Sequence, residues 1–191
     1  NVSELQPITV EDLLGRDKVE LDWQPVADFV KNKSVMVTGG GGSIGSELSR
    51  QIAMSRPKRL ILLEQSEYFL YQTEAEVRRL IQAQGLDIEL ISLLASVQDR
   101  ARLEQIFEVF PIDTIYHAAA YKHVPMVELN ILDGLKNNVL GTYNLAATAA
   151  KYEVETFTLI STDKAVRPTN IMGASKRFAE LILQAFASQE S

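Results

Sequence analysis

The sequence predicts a doubly wound α/β fold, in which helices cover both faces of a parallel sheet. Three observations support this class. Short apolar runs alternate with amphipathic helical patterns, a glycine-rich loop joins the first run to the first helix, and no repeat or low-complexity tract interrupts the alternation. Because parallel neighbours need right-handed crossovers, the alternation favours a Rossmann-type sheet with strand order 3-2-1-4-5. The 191 residues are enough for one such domain.

Each element follows from its local pattern. The five runs are rich in β-branched residues or leucine and are too short for helices, whereas the segments between them have apolar residues at helical spacing. Strands are predicted at residues 34–38, 59–64, 88–93, 114–117 and 156–161, and helices at 43–53, 68–84, 100–110, 135–151 and 172–187.

Residues 1–33 are predicted to form a separate N-terminal helical segment. It contains a short helix at 10–14, which Gly15 ends, and a second amphipathic stretch at 25–30. The main domain is then expected to span residues 34–191.

Composition and charge narrow the classes of function. The chain has no cysteine, which excludes disulfides, thiolate metal sites and cysteine nucleophiles. Its net charge of −6 gives no basic surface typical of nucleic-acid binding. No window has the roughly 18–20 uninterrupted apolar residues that cross a bilayer. The two histidines, His117 and His123, match no recognised metal-site spacing, and we predict no metal.

The loop at residues 38–45 reads Thr-Gly-Gly-Gly-Gly-Ser-Ile-Gly. We expect Gly39 to turn the chain after the first strand, Gly42 to let the backbone approach a pyrophosphate, and Gly45 to allow close helix packing. Phosphates would then lie at a helix N-terminus, where free N–H groups and the helix dipole favour anions. Because the loop follows a strand and begins a helix, it predicts dinucleotide binding.

Glu64 ends the second predicted strand, about 20 residues after the last loop glycine. A carboxylate there accepts hydrogen bonds from a ribose diol and repels a 2′-phosphate, which favours NAD over NADP. Three nearby cations, Arg56, Lys58 and Arg59, would weaken this preference. The alternative for Glu64 is a solvated strand end.

Several ordered motifs resemble the extended short-chain dehydrogenase/reductases. They are the glycine loop, His-Ala-Ala-Ala at 117–120, Asn138 in Asn-Val-Leu-Gly-Thr, and Ser-Thr-Asp-Lys at 161–164. Three further segments, at 11–16, 121–125 and 167–176, are similar to the polysaccharide-biosynthesis nucleotide-sugar dehydratases of the UDP-N-acetylglucosamine 4,6-dehydratase type. The resemblance covers essentially the whole chain.

The resemblance implies two sets of binding residues. Tyr121, Lys122 and Glu128 would face the sugar substrate, with surface placement as the alternative. Ser96 and Val97 stand where the family usually has an acidic-apolar pair beside the adenine, and the serine departs from that pattern. The residues implied for the cofactor are Thr38, Gly39, Gly42, Ser43, Ile44, Gly45, Glu64, Ser96, Val97, Ala118, Ala119, Ala120, Asn138 and Lys176.

The tyrosine that the superfamily uses as a base, four residues before the lysine, is absent. Met172 occupies that position, and Thr162 and Lys176 occupy the Ser/Thr and Lys positions. A thioether carries no transferable proton, so either another group accepts the proton of the C4 hydroxyl or the protein does not oxidise a sugar. Larger members of the dehydratase subgroup resemble this chain in having methionine there, which favours a rearranged site.

By resemblance, Asp163 and Lys164 supply the second half of the chemistry. Once C4 is a ketone the C5 proton becomes acidic, and Lys164 would remove it while Asp163 protonates the leaving C6 hydroxyl. A lysine acts as a base only when partly neutral, and burial or a neighbouring cation such as Lys176 lowers its pKa in that direction. The alternative is a solvated, salt-linked turn.

We therefore expect the NAD-binding domain of a nucleotide-sugar 4,6-dehydratase, a hydro-lyase that converts a UDP-N-acetylhexosamine to its 4-keto-6-deoxy sugar. Two alternatives stay open. A 4-epimerase would share the cofactor loop but has no use for Asp163 and Lys164. A catalytically silent NAD-binding or assembly module is the reading that Met172 favours.

Expectations about the wider protein follow from the resemblance. The first residue is Asn1, and a sugar-binding lobe would follow Ser191, so we expect a piece of a longer protein that is inactive by itself. We expect a cytoplasmic homo-oligomer that binds a nucleotide sugar and makes no contact with nucleic acid or, through these residues, with a membrane. An inner-membrane anchor upstream is left open.

Overall fold

The protein is described by a computed structural model over residues 29–189. Five parallel strands form one sheet with the order β3-β2-β1-β4-β5, so the predicted order 3-2-1-4-5 is confirmed. The strands are β1 (Ser34–Thr38), β2 (Arg59–Glu64), β3 (Glu89–Leu94), β4 (Thr114–His117) and β5 (Thr156–Leu159).

Helices connect the strands and cover both faces, as the alternation predicts. They are α1 (Ser43–Met54), α2 (Glu67–Ala83), α3 (Arg100–Val109), α4 (Val124–Leu129), α5 (Ile131–Leu135), α6 (Gly141–Lys151) and α7 (Ile171–Gln189), with a 3₁₀ turn at Asp163–Ala165.

The segment between β4 and β5 differs from the prediction. The helix predicted at 135–151 is interrupted by a π turn at Lys136–Leu140, and the short helices α4 and α5 precede it. Neither short helix was predicted, because the large apolar side chains of Met126, Leu129 and Leu132 are exposed and give no amphipathic pattern.

The core has two layers, one on each side of the sheet. Every residue of β1 is buried, and its side chains alternate, so that Met36 packs on one face and Val35 and Val37 on the other. A strand buried on both faces reads as a continuous apolar run, which is typical of parallel sheets.

The register brings functional segments together at the carboxyl ends of the strands. Thr38, the last residue of β1, lies beside Leu63 of β2 and His117 of β4. Ligands of such sheets bind at these ends, next to the strand pair where the connection reverses direction.

Residues 1–28 lie outside the described residues, and with them the predicted helix at 10–14 and most of the stretch at 25–30. The domain boundary after residue 33 therefore stays a prediction. Within residues 29–189, no helix is long and apolar enough to cross a membrane.

Candidate functional site

The glycine loop packs tightly against the segment that follows β4. Gly39 has a φ of +66°, in the left-handed region, and a Cβ built there would lie 2.6 Å from the Ala119 backbone nitrogen. A Cβ on Gly45 would overlap the carbonyl oxygen of Gly39. Both glycines are therefore required by close backbone contact, as the sequence predicts for the turn and for the helix packing.

The N-terminus of α1 presents a surface suited to an anion. Its N-cap, Gly42, makes no side-chain capping bond, and the first turn has no acidic residue. The adjoining cavity, of about 560 Å³, is lined by Ser43, Ile44 and Lys122 among others. Lys122 Nζ donates to Ser43 Oγ at 3.4 Å. Because the helix dipole already makes this end positive, a lysine placed here fits an anion lying between the two.

Glu64 is held rigidly at the end of β2. Its Oε2 accepts a hydrogen bond from Gly41 N at 3.1 Å, and its Oε1 accepts from Gln65 N and Ser66 N at 2.9 and 3.0 Å. The residue is 9% exposed. A carboxylate has about four acceptor sites, so capacity remains for one further donor.

A cavity of about 160 Å³ adjoins Glu64. With Glu64 it is lined by Gly39, Gly42, Ser96, Val97 and Ala118–Ala120, so the structure brings together eight of the residues implied for the cofactor. Ser96 Oγ accepts from Gln98 N at 3.3 Å, which gives this departure from the family pattern a local partner.

His117 connects the glycine loop to α6 through buried hydrogen bonds. Its Nδ1 lies 2.6 Å from Thr38 Oγ1 and its Nε2 lies 2.9 Å from Thr142 Oγ1. Thr142 Oγ1 donates to Asn138 O, so it accepts from Nε2–H, and Nδ1 then accepts from Thr38. Burial, with a smaller effect of Lys176, lowers the pKa of His117 to about 3. His117 is a neutral structural residue.

The side chain of Asn138 forms hydrogen bonds within the protein and does not face open solvent. Its Oδ1 accepts from Tyr121 N at 2.8 Å, and its Nδ2 donates to Tyr121 O and to Ser175 Oγ, both at 2.9 Å. Ser175 Oγ in turn donates to Met172 O at 2.6 Å. The implied cofactor residue Asn138 therefore joins the segment after β4 to the first turns of α7, and its contact with a cofactor stays a prediction.

One cavity of about 320 Å³ is lined by Thr162, Lys164, Met172 and Lys176. It also touches Ile44 of the glycine-loop region. Lys176 is 6% exposed, and its Nζ donates to Ile160 O at 2.6 Å. Burial lowers the pKa of Lys176 to about 8, against the opposing charge of Glu180. Met172, at the tyrosine position, is buried.

Asp163 lies beside this cavity and does not line it. Its side chain is 89% exposed, and Oδ1 accepts from Thr162 Oγ1 at 2.9 Å and lies 3.6 Å from Lys164 Nζ. The Thr162 hydroxyl, followed by the Lys164 charge, lowers the pKa of Asp163. In this arrangement the carboxyl is ionised, whereas a general acid needs a proton.

Glu128, implied for the substrate, has a backbone partner. Its Oε1 accepts from Ile171 N at 2.6 Å, while Asn170 Oδ1 accepts from Gly173 N at 2.8 Å, and together they cap the start of α7. A sugar-facing role for Glu128 stays a prediction.

Sequence reasoning missed the parts of the site that act through tertiary contacts. Gln65, Thr142 and Ser175 were not assigned, and the backbone of Tyr121 was not recognised as an anchored segment. In the sequence these residues look like ordinary polar residues. Each of them gains a partner from a distant part of the chain only when the protein folds.

Residues 35–191 match the family described as "Polysaccharide biosynthesis protein". The chain belongs to this family. Over 190 residues it is 44% identical to the capsular polysaccharide biosynthesis protein CapD of Staphylococcus aureus, covering 100% of this chain and 31% of CapD. This confirms the resemblance to the polysaccharide-biosynthesis subgroup.

The chain is also similar to two nucleotide-sugar enzymes. Over 145 residues the chain is 29% identical to an inverting UDP-N-acetylglucosamine 4,6-dehydratase of Campylobacter jejuni. The matched region covers 75% of this chain and 40% of that enzyme. It has the fold of a UDP-glucose-4-epimerase from Stenotrophomonas maltophila solved with bound NAD, with a TM-score of 0.70 and 19% identity over 83% of this chain and 50% of that one. The chain therefore spans less than half the length of the two curated relatives named here.

Proposed function

We propose that the chain is the cofactor-binding domain of an NAD-dependent nucleotide-sugar 4,6-dehydratase that acts on a UDP-N-acetylhexosamine. The observation that carries the proposal is the shared cavity of Thr162, Lys164, Met172 and Lys176, which touches the glycine-loop region at Ile44. The cavity brings two lysines and a threonine hydroxyl next to the glycine-loop region, which supports proton transfer beside a bound nucleotide. The C. jejuni relative, which carries the dehydratase name, supports the same reaction.

The residues of the cleft fit NAD. The uncapped start of α1 and the Lys122 ammonium suit the pyrophosphate, and the fixed Glu64 carboxylate suits a ribose diol and disfavours a 2′-phosphate. When bound, NAD supplies the acceptor for hydride from C4 of the sugar. Lys176 lines the cavity of Thr162, Lys164 and Met172, and there it would bind the ribose hydroxyls of the cofactor, as the resemblance implies.

Lys164 is proposed to remove the C5 proton, and Asp163 to give its proton to the C6 hydroxyl as the C6–O bond breaks and water leaves. The 4-keto-6-deoxy product then requires that the hydride taken from C4 return to C6 and that Lys164 give the proton back to C5, so that the cofactor would be recycled. Lys176 lines the same cavity as Lys164. Asp163, exposed and with a lowered pKa, has to be covered before it holds a proton at neutral pH. A nucleotide sugar lying over this surface would provide that cover.

Because the Met172 thioether cannot act as the base, another side chain of the cavity has to accept the proton of the C4 hydroxyl. Lys176 is favoured for this step, because burial lowers its pKa to about 8 and leaves a fraction of the amine neutral near pH 7. The carbonyl of Ile160 orients the amine through the bond at 2.6 Å.

A 4-epimerase is the second candidate. The exposure and low pKa of Asp163 favour it, since an epimerase needs no acid at C6. The fold shared with the S. maltophila epimerase is compatible with it.

Mass spectrometry of UDP-N-acetylglucosamine after incubation with the full-length protein tests the proposal. Loss of one water supports the dehydratase. An isomer of unchanged mass, separated by chromatography, supports the epimerase. An unchanged substrate with NAD bound supports the silent module.

A further inference from the structure

A side-chain contact spans the rim of the cavity beside Glu64. Gln65 Nε2 donates to Tyr121 Oη at 3.3 Å. Gln65 follows β2 and Tyr121 follows the alanine segment after β4, and both line the cavity of about 160 Å³. Both residues are exposed, so the contact lies at the opening of the cavity rather than at its floor.

The backbone on each side of this contact is anchored. Both polar groups of the Tyr121 main chain bond the carboxamide of Asn138, which is 1% exposed and is itself held by Ser175. On the other side, Gln65 N bonds Glu64 Oε1 at 2.9 Å. The two side chains could therefore rotate while the backbone that carries them stays in place.

The lining of the cavity suits the adenosine end of a dinucleotide. Ala95, Val97, Ala119 and Phe69 offer apolar surface to a purine, and Glu64 offers an acceptor to a ribose hydroxyl. A ligand of this shape would lie beneath the exposed ends of Gln65 and Tyr121.

We propose that Tyr121 and Gln65 form a strap that closes over the adenosine end of the bound cofactor and slows its release. The inference rests on the proposed binding of NAD. The strap opens for the ligand to enter and closes after it, so its hydrogen bond extends the residence time of the complex.

Stopped-flow fluorescence with NADH as the probe tests the strap on the full-length protein. The variants are Tyr121→Phe, which keeps the ring and removes the hydroxyl, Gln65→Leu, and the two combined. The expected result is NADH dissociation faster by about two- to tenfold in each single variant, the range that one net hydrogen bond gives. The double variant should equal the single ones, because the same bond is lost. Tyr143→Phe removes the hydroxyl of an exposed residue that does not line the cavity, and it should keep the wild-type rate.

Three results would overturn the strap. Dissociation rates equal to wild type in both single variants would show that the contact does not hold the ligand. Additive effects would show that the two side chains act separately. Tighter binding with faster association would show that the contact fills the site instead of covering it. Wild-type protein that binds no NADH would refute the proposed cofactor itself, whereas wild-type binding with unchanged variants refutes the strap alone.

Discussion

The two ends of the cleft differ in how completely the chain builds them. At the nucleotide end, Glu64 is buried with three backbone donors, and His117 is fully enclosed between two threonines. At the catalytic end, the side chains of Asp163 and Lys164 are 89% and 53% exposed and share a contact of 3.6 Å. The first end is organised before any ligand arrives, whereas the side chains proposed for acid–base catalysis lie at an open surface.

The difference teaches which function each end can perform by itself. The proposed binding of a nucleotide needs fixed donors for the phosphates and a fixed acceptor for the ribose, and the glycine loop would supply the donors and Glu64 the acceptor. Acid–base catalysis needs pKa values moved toward neutrality, and an exposed carboxyl bonded to a hydroxyl and a lysine is moved the other way. We infer that the elimination step depends on groups that cover Asp163.

The largest expected effect falls at the catalytic end. Asp163→Asn and Lys164→Met in the full-length protein should each lower the rate of water elimination at least about 100-fold, since each removes one proton-transfer group. NADH affinity and the free energy of unfolding should change little, because both side chains are largely exposed. Product formation is followed by mass spectrometry and binding by calorimetry. Near-normal turnover in either variant would remove that residue from the mechanism.

The next effect falls on the nucleotide end. Gly39→Ala should lower the free energy of unfolding by about 3 kcal/mol and abolish NADH binding, because the new Cβ meets the Ala119 backbone and the φ is +66°. Gly85→Ala is the matched control, since its φ is +58° and nothing lies within 4 Å of the added Cβ. It should cost only about 1 kcal/mol. Urea denaturation measures both, and equal losses would show that close packing at Gly39 does not matter.

A smaller effect concerns pH. The pKa of His117 falls from 6.5 to about 3 on burial, so between these values the unfolded chain takes up a proton that the folded chain does not. The free energy of unfolding is therefore highest above pH 6.5. It decreases by about 1.5 kcal/mol between pH 6.5 and pH 5. Urea denaturation at several pH values should show this loss in the wild type and not in His117→Gln. Replacing the exposed His123 by Gln controls for the removal of a histidine, and a wild-type slope retained in His117→Gln would refute the assignment.

The sheet and the glycine loop could be predicted because their signals are local. The near-continuous apolar runs of β1 and β2 and the glycines at 39 and 45 each report on residues close in sequence, and the strand order follows from the alternation. The interruption of the helix at Lys136–Leu140 could not be predicted, because an apolar pattern does not reveal the extra residue that makes a π turn.

The candidate site divides in the same way. The sequence by itself determined which residue types follow the carboxyl ends of the strands, including Glu64, Thr162, Asp163 and Lys164, and that Lys176 lies in the last helix, because those positions follow from the strand pattern and the ordered motifs. Only the tertiary structure decided which partners the residues of the site contact. Glu128 bonds Ile171 N, Lys122 crosses to Ser43, and Asn138 holds Tyr121. These pairs lie 43, 79 and 17 residues apart, and a hydrogen bond depends on a distance in space that local sequence does not encode.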